Sequence, residues 1–238
     1  MTTALLAGTV FLAAGFVQGL TGFGSALVAI PLLSLLMDVK TAVPLCTLNG
    51  MIITMYLGWR LRNHLHWHRI WPLLLGSLPG VLAGVTLLKK VDSAAIRTGI
   101  GLLLISYSVF NLLVRPRPVN PGRSWAILAG FLTGAIGAAF SAGGPPVIIY
   151  TSMTSWKKDV IKATLSGFFV LNGVVTVTVH AASGITTRTV LGYFAVAAPC
   201  VLAGTILGSQ VYGRIRRDTY IRLIYCFLIA MGIMMVTG

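Results

Sequence analysis

The chain has 238 residues, of which 56% are hydrophobic and 9% are charged, and its mean hydropathy is +0.90. This composition excludes an ordinary soluble domain and predicts an integral membrane protein. The net charge is +14, but the lysines and arginines lie in or beside short connections between apolar segments, which is typical of membrane topology and not of a nucleic-acid-binding face.

Eight apolar segments follow one another along the chain, and each is long enough to cross a hydrocarbon core of about 30 Å as a helix. The first has no basic region before it and continues into further apolar sequence, so we expect a retained membrane segment and not a cleaved signal peptide. The segments cover approximately residues 4–36, 41–59, 70–88, 97–114, 125–152, 160–182, 189–212 and 218–237.

The connection RPRPVNPGRS at residues 115–124 is rich in proline and arginine and separates the segments into two sets of four. We therefore divide the chain into a first membrane repeat, residues 1–114, the linker, and a second membrane repeat, residues 125–238. The predicted fold class is an all-α integral membrane protein.

Three sequence matches in the same order support a duplicated unit. AGFVQGLTG at residues 14–22 matches AGFLTGAIG at residues 129–137, and Pro31 and Pro146 then fall at the same offset. The two further matches are LNG at 48–50 with LNG at 171–173, and PGVLAG at 79–84 with PCVLAG at 199–204.

The first segment of each half is too long for one ordinary membrane span, since 33 residues would reach about 50 Å as a helix. Each contains a glycine-rich stretch, GLTGFGS at residues 19–25 and SAGGPP at 141–146. We predict a break there, after which the chain either turns back within the membrane or crosses a second time.

The distribution of basic residues favours the arrangement in which each broken segment returns to the side of the membrane from which it started. In that arrangement 13 of the 18 basic residues lie on one side and 5 on the other, whereas single crossings divide them 11 to 7. The positive-inside rule then predicts inverted repeats, with a cytoplasmic linker and both termini outside.

The acidic residues offer no carboxylate at mid-membrane depth. The chain has no glutamate, and its four aspartates all lie at segment boundaries, where we expect loop or helix-cap roles: Asp38, Asp92, Asp159 and Asp218. A transported cation is therefore a poor prediction. The three cysteines, Cys46, Cys200 and Cys226, are expected to be small packing residues.

The breaks themselves are the candidate substrate site. Irregular backbone at membrane depth is tolerated where it is buried in protein or lines a watery cavity, and the N-terminus of a half-helix attracts an anion. Two such ends from inverted repeats form the kind of site found in secondary transporters. Alternatively, the glycines only allow close helix packing. The candidate residues are Gln18, Gly19, Thr21, Gly22, Gly24, Ser25, Ser141, Gly143, Gly144 and Pro145.

Asn49 and Asn172 of the two LNG motifs complete the candidate site, either by donating to substrate oxygens or by bonding to the broken backbone. His180 is the one titratable group near neutral pH within an apolar segment, and we expect it near the membrane interface. We predict no cofactor and no metal: NHLHWH at residues 63–68 lacks a Cys or acid to complete a ligand set.

Two other function classes stay open. An anion channel-like pore would need a continuous polar lining. An intramembrane serine hydrolase would use Ser25 activated by His180, but no aspartate lies at depth to orient the imidazole. We therefore predict a transporter and not an enzyme.

GFVQGLTGFGSALVAIPLL and GFLTGAIGAAFSAGGPPVIIY together resemble the paired signature of the TauE/SafE membrane transporters, the sulfite and organosulfonate exporter family. The resemblance extends over essentially the whole chain. It implies transport of a sulfur oxyanion such as sulfite, sulfoacetate or another organosulfonate across the inner membrane. A homodimer is compatible with the sequence.

The family's motif residues carry over to this chain in both halves, with one departure: Ile30 stands where the second half has Pro145. The matching positions are Gly19, Gly22, Gly24, Ser25 and Pro31, and then Gly134, Gly137, Ser141, Gly143, Gly144, Pro145 and Pro146.

Overall fold

The computed structural model describes residues 2–21, 24–60, 65–113, 119–211 and 217–237, and within these ranges the chain forms helices and no strands. Seven of the helices are long and apolar enough to cross a membrane. The predicted all-α, multi-pass architecture is confirmed. The helices are α1 (Thr2–Thr21), α2 (Ser25–Leu33), α3 (Val39–Arg60), α4 (Trp67–Lys90), α5 (Ser93–Leu113), α6 (Arg123–Phe140), α7 (Gly144–Ser152), α8 (Lys158–Ala182), α9 (Arg188–Val211) and α10 (Arg217–Thr237).

The long first segment of each half is broken, as the sequence predicts. In the first half the break separates α1 from α2, and Gly24 has a φ of 94°, which glycine adopts without steric cost. In the second half Ser141 ends α6 in the left-handed region, with its N–H donating to Gly137 O at 2.8 Å. A Cβ built on Gly143 would lie 2.8 Å from Gly137 Cα, so the chain turns back against α6.

The proline offset does not mark equivalent positions in the two breaks. Pro145 and Pro146 are the second and third residues of α7, where a missing N–H costs nothing. Pro31 instead lies in the interior of α2, whose first residue is Ser25. Relative to the sequence match, the second half therefore breaks four residues later than the first half, so prolines at the same offset take different places in their helices.

Two helix pairs have backbones in direct contact. α1 packs on α9 and α4 packs on α6, and in each pair glycines allow the close approach. Side chains added at Gly15 and Gly19 would meet α9 at Thr205 and Ser209 in turn, so α1 and α9 run parallel. Contacts of Gly76 with Ile127 and of Gly84 with Ala138 show that α4 and α6 are parallel as well. In each pair, the first helix of one half, α1 or α6, packs against a helix of the other half.

α3 and α8 carry the two LNG motifs and run antiparallel to each other. A Cβ at Gly58, near the end of α3, would lie 3.0 Å from Val170. A Cβ at Gly173, later in α8, would lie 4.0 Å from Met51, which is earlier in α3. The helices that carry the two LNG motifs therefore point in opposite directions.

Two of the four aspartates are helix caps, as expected. Asp38 Oδ1 accepts from Lys40 N–H at 2.8 Å, and Asp92 Oδ1 accepts from Ala95 N–H at 2.6 Å. The side chains of Asp159 and Asp218 lie outside the described structure. Of the cysteines, Cys46 is buried, Cys200 is half-buried and Cys226 is exposed, so a packing role inside the protein is supported for Cys46.

We predict that Gly80→Ala destabilises the protein. A Cβ at Gly80 would lie 3.0 Å from both Phe131 C and Ala135 N and closer still to Phe131 O, so α4 and α6 would have to separate. Overpacking of this kind costs about 1–3 kcal/mol. Thermal unfolding of detergent-purified protein measures the effect.

The matched control is Gly192→Ala on α9, where an added Cβ meets no neighbour within 4 Å. Alanine favours the helix over glycine by about 1 kcal/mol, so this variant should unfold at an equal or higher temperature. Equal stability of the two variants would contradict the close packing of α4 on α6.

Candidate functional site

A cavity of about 460 Å³ lies where the two helix breaks meet α3 and α8. Eight of the twelve candidate residues line it, from both halves of the chain. A volume of this size is typical of small-molecule sites. The eight residues are Gln18, Gly19, Gly24, Ser25, Ser141, Gly143, Gly144 and Asn172.

The other four candidates are not placed on the cavity wall. Asn49 is fully buried, and its Nδ2 donates to Leu45 O at 2.9 Å within α3. Gly50, one residue later and so about 100° further round the helix, lines the cavity instead. Pro145 is buried within α7, and neither Gly22 nor the Thr21 side chain belongs to the described structure.

The two half-helices present different N-termini to the cavity. In the first half Gln18 Oε1 accepts from Ser25 N–H at 3.0 Å, so the end of α1 holds the start of α2. In the second half the proline pair removes two of the N–H groups that would otherwise be free in the first turn of α7. The two half-helices therefore present fewer free backbone N–H groups to the cavity than two ordinary helix N-termini would. Side chains of the wall supply the other hydrogen-bond donors.

Buried polar atoms without a partner face this space. Thr133 Oγ1 and Asn172 Oδ1 belong to side chains that are 0% and 7% exposed, both line the cavity, and neither has a hydrogen-bond partner within the described structure. An unpaired polar group in an apolar interior costs about 1–3 kcal/mol. A polar solute or its water in the cavity would remove that cost.

One hydrogen bond joins the halves at the cavity. Thr47 Oγ1 of α3 lies 3.2 Å from Ser141 Oγ, which is the residue at the second break. Because Thr47 belongs to the first half and Ser141 to the second, any movement of one half against the other must break or reorganise this contact.

The walls of the cavity come from one stripe on α3 and one on α8. The stripe on α3 runs from Cys46 to Leu57, three residues before the helix ends, and the stripe on α8 runs from Lys162, four residues after the helix begins, to Thr176. Because the helices are antiparallel, Leu57 and Lys162 lie toward the same end of the protein. The cavity therefore extends from the breaks toward the end where α3 stops and α8 starts.

Sequence reasoning missed most of these wall residues. The sequence pattern that could have revealed them is on α8, where the wall residues recur every three or four residues and so share one helix face with Asn172. Lys162 was counted only as a loop charge, although it stands on that same face. The polar residues missed are Thr47, Thr54, Ser166, Thr176 and Ser209.

The hydrolase constellation is not assembled. Ser25 lines the cavity, but His180 is not among its wall residues. His180 is 1% exposed, and its Nε2 lies 2.9 Å from Ala138 O, so the expected interfacial side chain is instead packed inside the protein between α8 and α6. Across the ranges that the structure describes, no group of three or more His, Cys, Asp or Glu side chains could hold a metal.

A bundle of apolar helices around a cavity that hydroxyl and amide groups line in part, with two broken helices at its base, defines a multi-pass membrane transport protein. The profile described as "Sulfite exporter TauE/SafE" matches residues 6–235, and the chain belongs to this family of membrane transporters. The predictions of the family, and of a transporter and not an enzyme, are confirmed.

A curated relative extends the comparison. The chain is 27% identical over 227 residues to the "Probable sulfite/organosulfonate exporter TauE" of Cupriavidus necator. The match covers 91% of this chain and 87% of the relative. No solved structure matches the chain.

We expect Gln18→Leu to destabilise the first break, because leucine has a similar size but cannot accept the Ser25 N–H bond. Leaving this buried donor unpaired should lower the free energy of unfolding by about 1–3 kcal/mol. Thermal unfolding of purified protein would detect this loss. Gln18→Glu keeps an acceptor and should recover part of it.

Gln210→Leu is the matched control, because Gln210 is exposed on α9. It should leave the unfolding temperature close to that of the unaltered protein. If both leucine variants unfold alike, the bond between Gln18 and Ser25 does not support the break.

Proposed function

We propose that this protein is a secondary transporter that carries a small anion, a sulfur oxyanion such as sulfite, sulfoacetate or another organosulfonate, across the inner membrane by alternating access. The observation that carries the proposal is the cavity, which both helix breaks, α3 and α8 enclose together. Polar donors from both halves converge there, as they do in secondary transporters built from repeats.

The chemistry of the wall favours a negatively charged solute. Hydroxyl groups of Ser25 and Thr133 and the amide of Asn172 can all donate to oxygen atoms. No aspartate or glutamate is among the wall residues of the described structure, so these residues add no negative charge to the cavity. Half-helix N-termini add partial positive charge at the base of the cavity.

The sulfur substrate rests on the relatives. The family profile and the curated relative both carry sulfite in their descriptions, and the relative's name adds organosulfonates. Both classes present several equivalent oxygen atoms, which suits a site made of dispersed hydroxyl and amide donors and not of one paired cation.

Three contacts support inverted repeats with broken segments that return to their starting side. The antiparallel α3 and α8 fit this topology, whereas single crossings would make them parallel. Val119 N–H and Asn120 N–H both donate to Met153 O at 3.0 Å, which puts the linker beside the α7–α8 connection. Lys89 Nζ donates to Ser183 O at 3.0 Å at another connection. Single crossings would separate both pairs across the membrane.

The same topology orients the cavity. It opens toward the end where α3 stops and α8 starts, and the positive-inside count puts that end in the cytoplasm. We therefore propose that this conformation faces inward. An outward-facing conformation would arise when one half rocks against the other, with the bond between Thr47 and Ser141 reorganised on the way.

Gly144→Leu should abolish anion flux without unfolding the protein. Gly144 lines the cavity, and an added Cβ would meet only Ile148 Cδ1, at 3.4 Å, so a leucine there fills the solute space and not a helix contact. Counterflow of radiolabelled sulfite into proteoliposomes measures the flux, and we expect a loss of at least about 100-fold because the leucine occupies space that the anion needs.

Gly192→Leu on the exposed face of α9 is the matched control and should transport normally. Unimpaired counterflow in Gly144→Leu would exclude the second break from the transport route. Current that follows the gradient without saturation or exchange, in the unaltered protein, would instead favour a channel-like pore.

Cysteine labelling tests the direction of the opening. In a background where the three native cysteines are alanine, Thr54→Cys on the cavity wall should react with a charged, membrane-impermeant thiol reagent from the cytoplasmic face, and excess sulfoacetate, which unlike sulfite does not consume the reagent, should slow the reaction. Ser106→Cys, exposed mid-helix on α5, should not react, since lipid disfavours the thiolate. Faster labelling of Thr54→Cys from the outside would reverse the proposed orientation.

A further inference from the structure

We propose that Lys162 is the charge-selecting residue of this transporter: it attracts anions to the mouth of the cavity and determines apparent affinity on that side of the membrane. The inference rests on the proposed anion transport and assigns the residue that sets the sign of the solute. It concerns a side chain outside both glycine-rich motifs.

Lys162 is the one charged side chain on the cavity wall within the described structure. Its neighbours on the wall include the apolar Leu57, Leu165 and Phe169. A cleft of low-dielectric walls focuses the field of a charge and raises the local concentration of counter-ions and the rate at which they associate, by about 10- to 1,000-fold. A single cation therefore has a large effect here.

The position of Lys162 on α8 separates its role from that of the cavity base. Lys162, Leu165, Ser166, Phe169, Asn172 and Thr176 are all wall residues, at the spacing of one helix face. Lys162 precedes Asn172 by ten residues, which is about 15 Å along the helix axis. Lys162 is also exposed, whereas Asn172 is buried. The lysine thus meets the solute before the hydroxyl and amide groups do.

The charge of Lys162 acts at one side of the membrane only. When the two LNG motifs are aligned, the position equivalent to Lys162 is Val39, which is buried in the hydrophobic core. A mouth opened by the other half on the opposite side would have no lysine at that position. We therefore expect a Lys162 variant to change the apparent affinity on the cytoplasmic side more than on the outer side.

Sulfite counterflow in proteoliposomes of known orientation tests the inference. Lys162→Gln should raise the KM for sulfite offered at the cytoplasmic face about tenfold, with a maximal exchange rate within about twofold of the unaltered protein. The KM should also lose most of its dependence on ionic strength. Lys162→Arg keeps the charge and should stay close to the unaltered protein.

Lys157→Gln is the matched control. Lys157 lies five residues earlier, is exposed, and is not a wall residue, so its removal changes the surface charge of the same face without changing the cavity. A KM for Lys162→Gln no higher than that for Lys157→Gln would overturn the inference. The unaltered protein would still exchange sulfite, so the proposed function would survive. Absence of sulfite exchange in the unaltered protein would overturn the proposed function and this inference with it.

Chemical rescue separates charge from structure if Lys162→Gln is poorly folded. Lys162→Cys in the background without native cysteines should regain a low KM after alkylation with 2-bromoethylamine, which restores an ammonium group through a thioether that sulfite does not cleave. Alkylation with the neutral bromoethane should not restore it. Equal rescue by both reagents would show that Lys162 supports structure, and would overturn the inference.

Discussion

The backbone contact between α1 and α9, and between α4 and α6, is the constraint on which the site depends. In each pair, glycines leave no room for a Cβ between the two helices. Because each pair combines the first helix of one half with a helix of the other half, neither half can complete its packing alone. Small residues are what allow such contact where lipid supplies no hydrophobic driving force between helices.

That packing determines where the breaks lie. Gly19 packs on Thr205 and Ser209 and also lines the cavity, so the end of α1 is held in place one turn before the chain breaks. In the second half the turn at Gly143 lies directly against α6. Some of these glycines therefore pack helices, and others line the cavity.

The sequence predicted the architecture more completely than the site. Hydropathy and the internal matches located the membrane segments and the two breaks, because lipid requires long apolar helices and tolerates irregular backbone only in protected places. The wall of the cavity was predicted in part. Asn49 and Asn172 occupy the same place in their motifs, yet only Asn172 reaches the cavity, because Asn49 lies on a different face of α3 from the wall residue Gly50 and is buried in the protein.

The sequence by itself determined that this is a multi-pass membrane protein of the TauE/SafE family with glycine-rich breaks, because these properties depend on local composition and order. Only the tertiary structure decided which side chains share the cavity, that α3 and α8 run antiparallel, and that Lys162 stands on the wall. These depend on how helices far apart in sequence rotate and pack against each other, and an apolar helix in lipid gives little indication of which face meets protein and which meets the membrane.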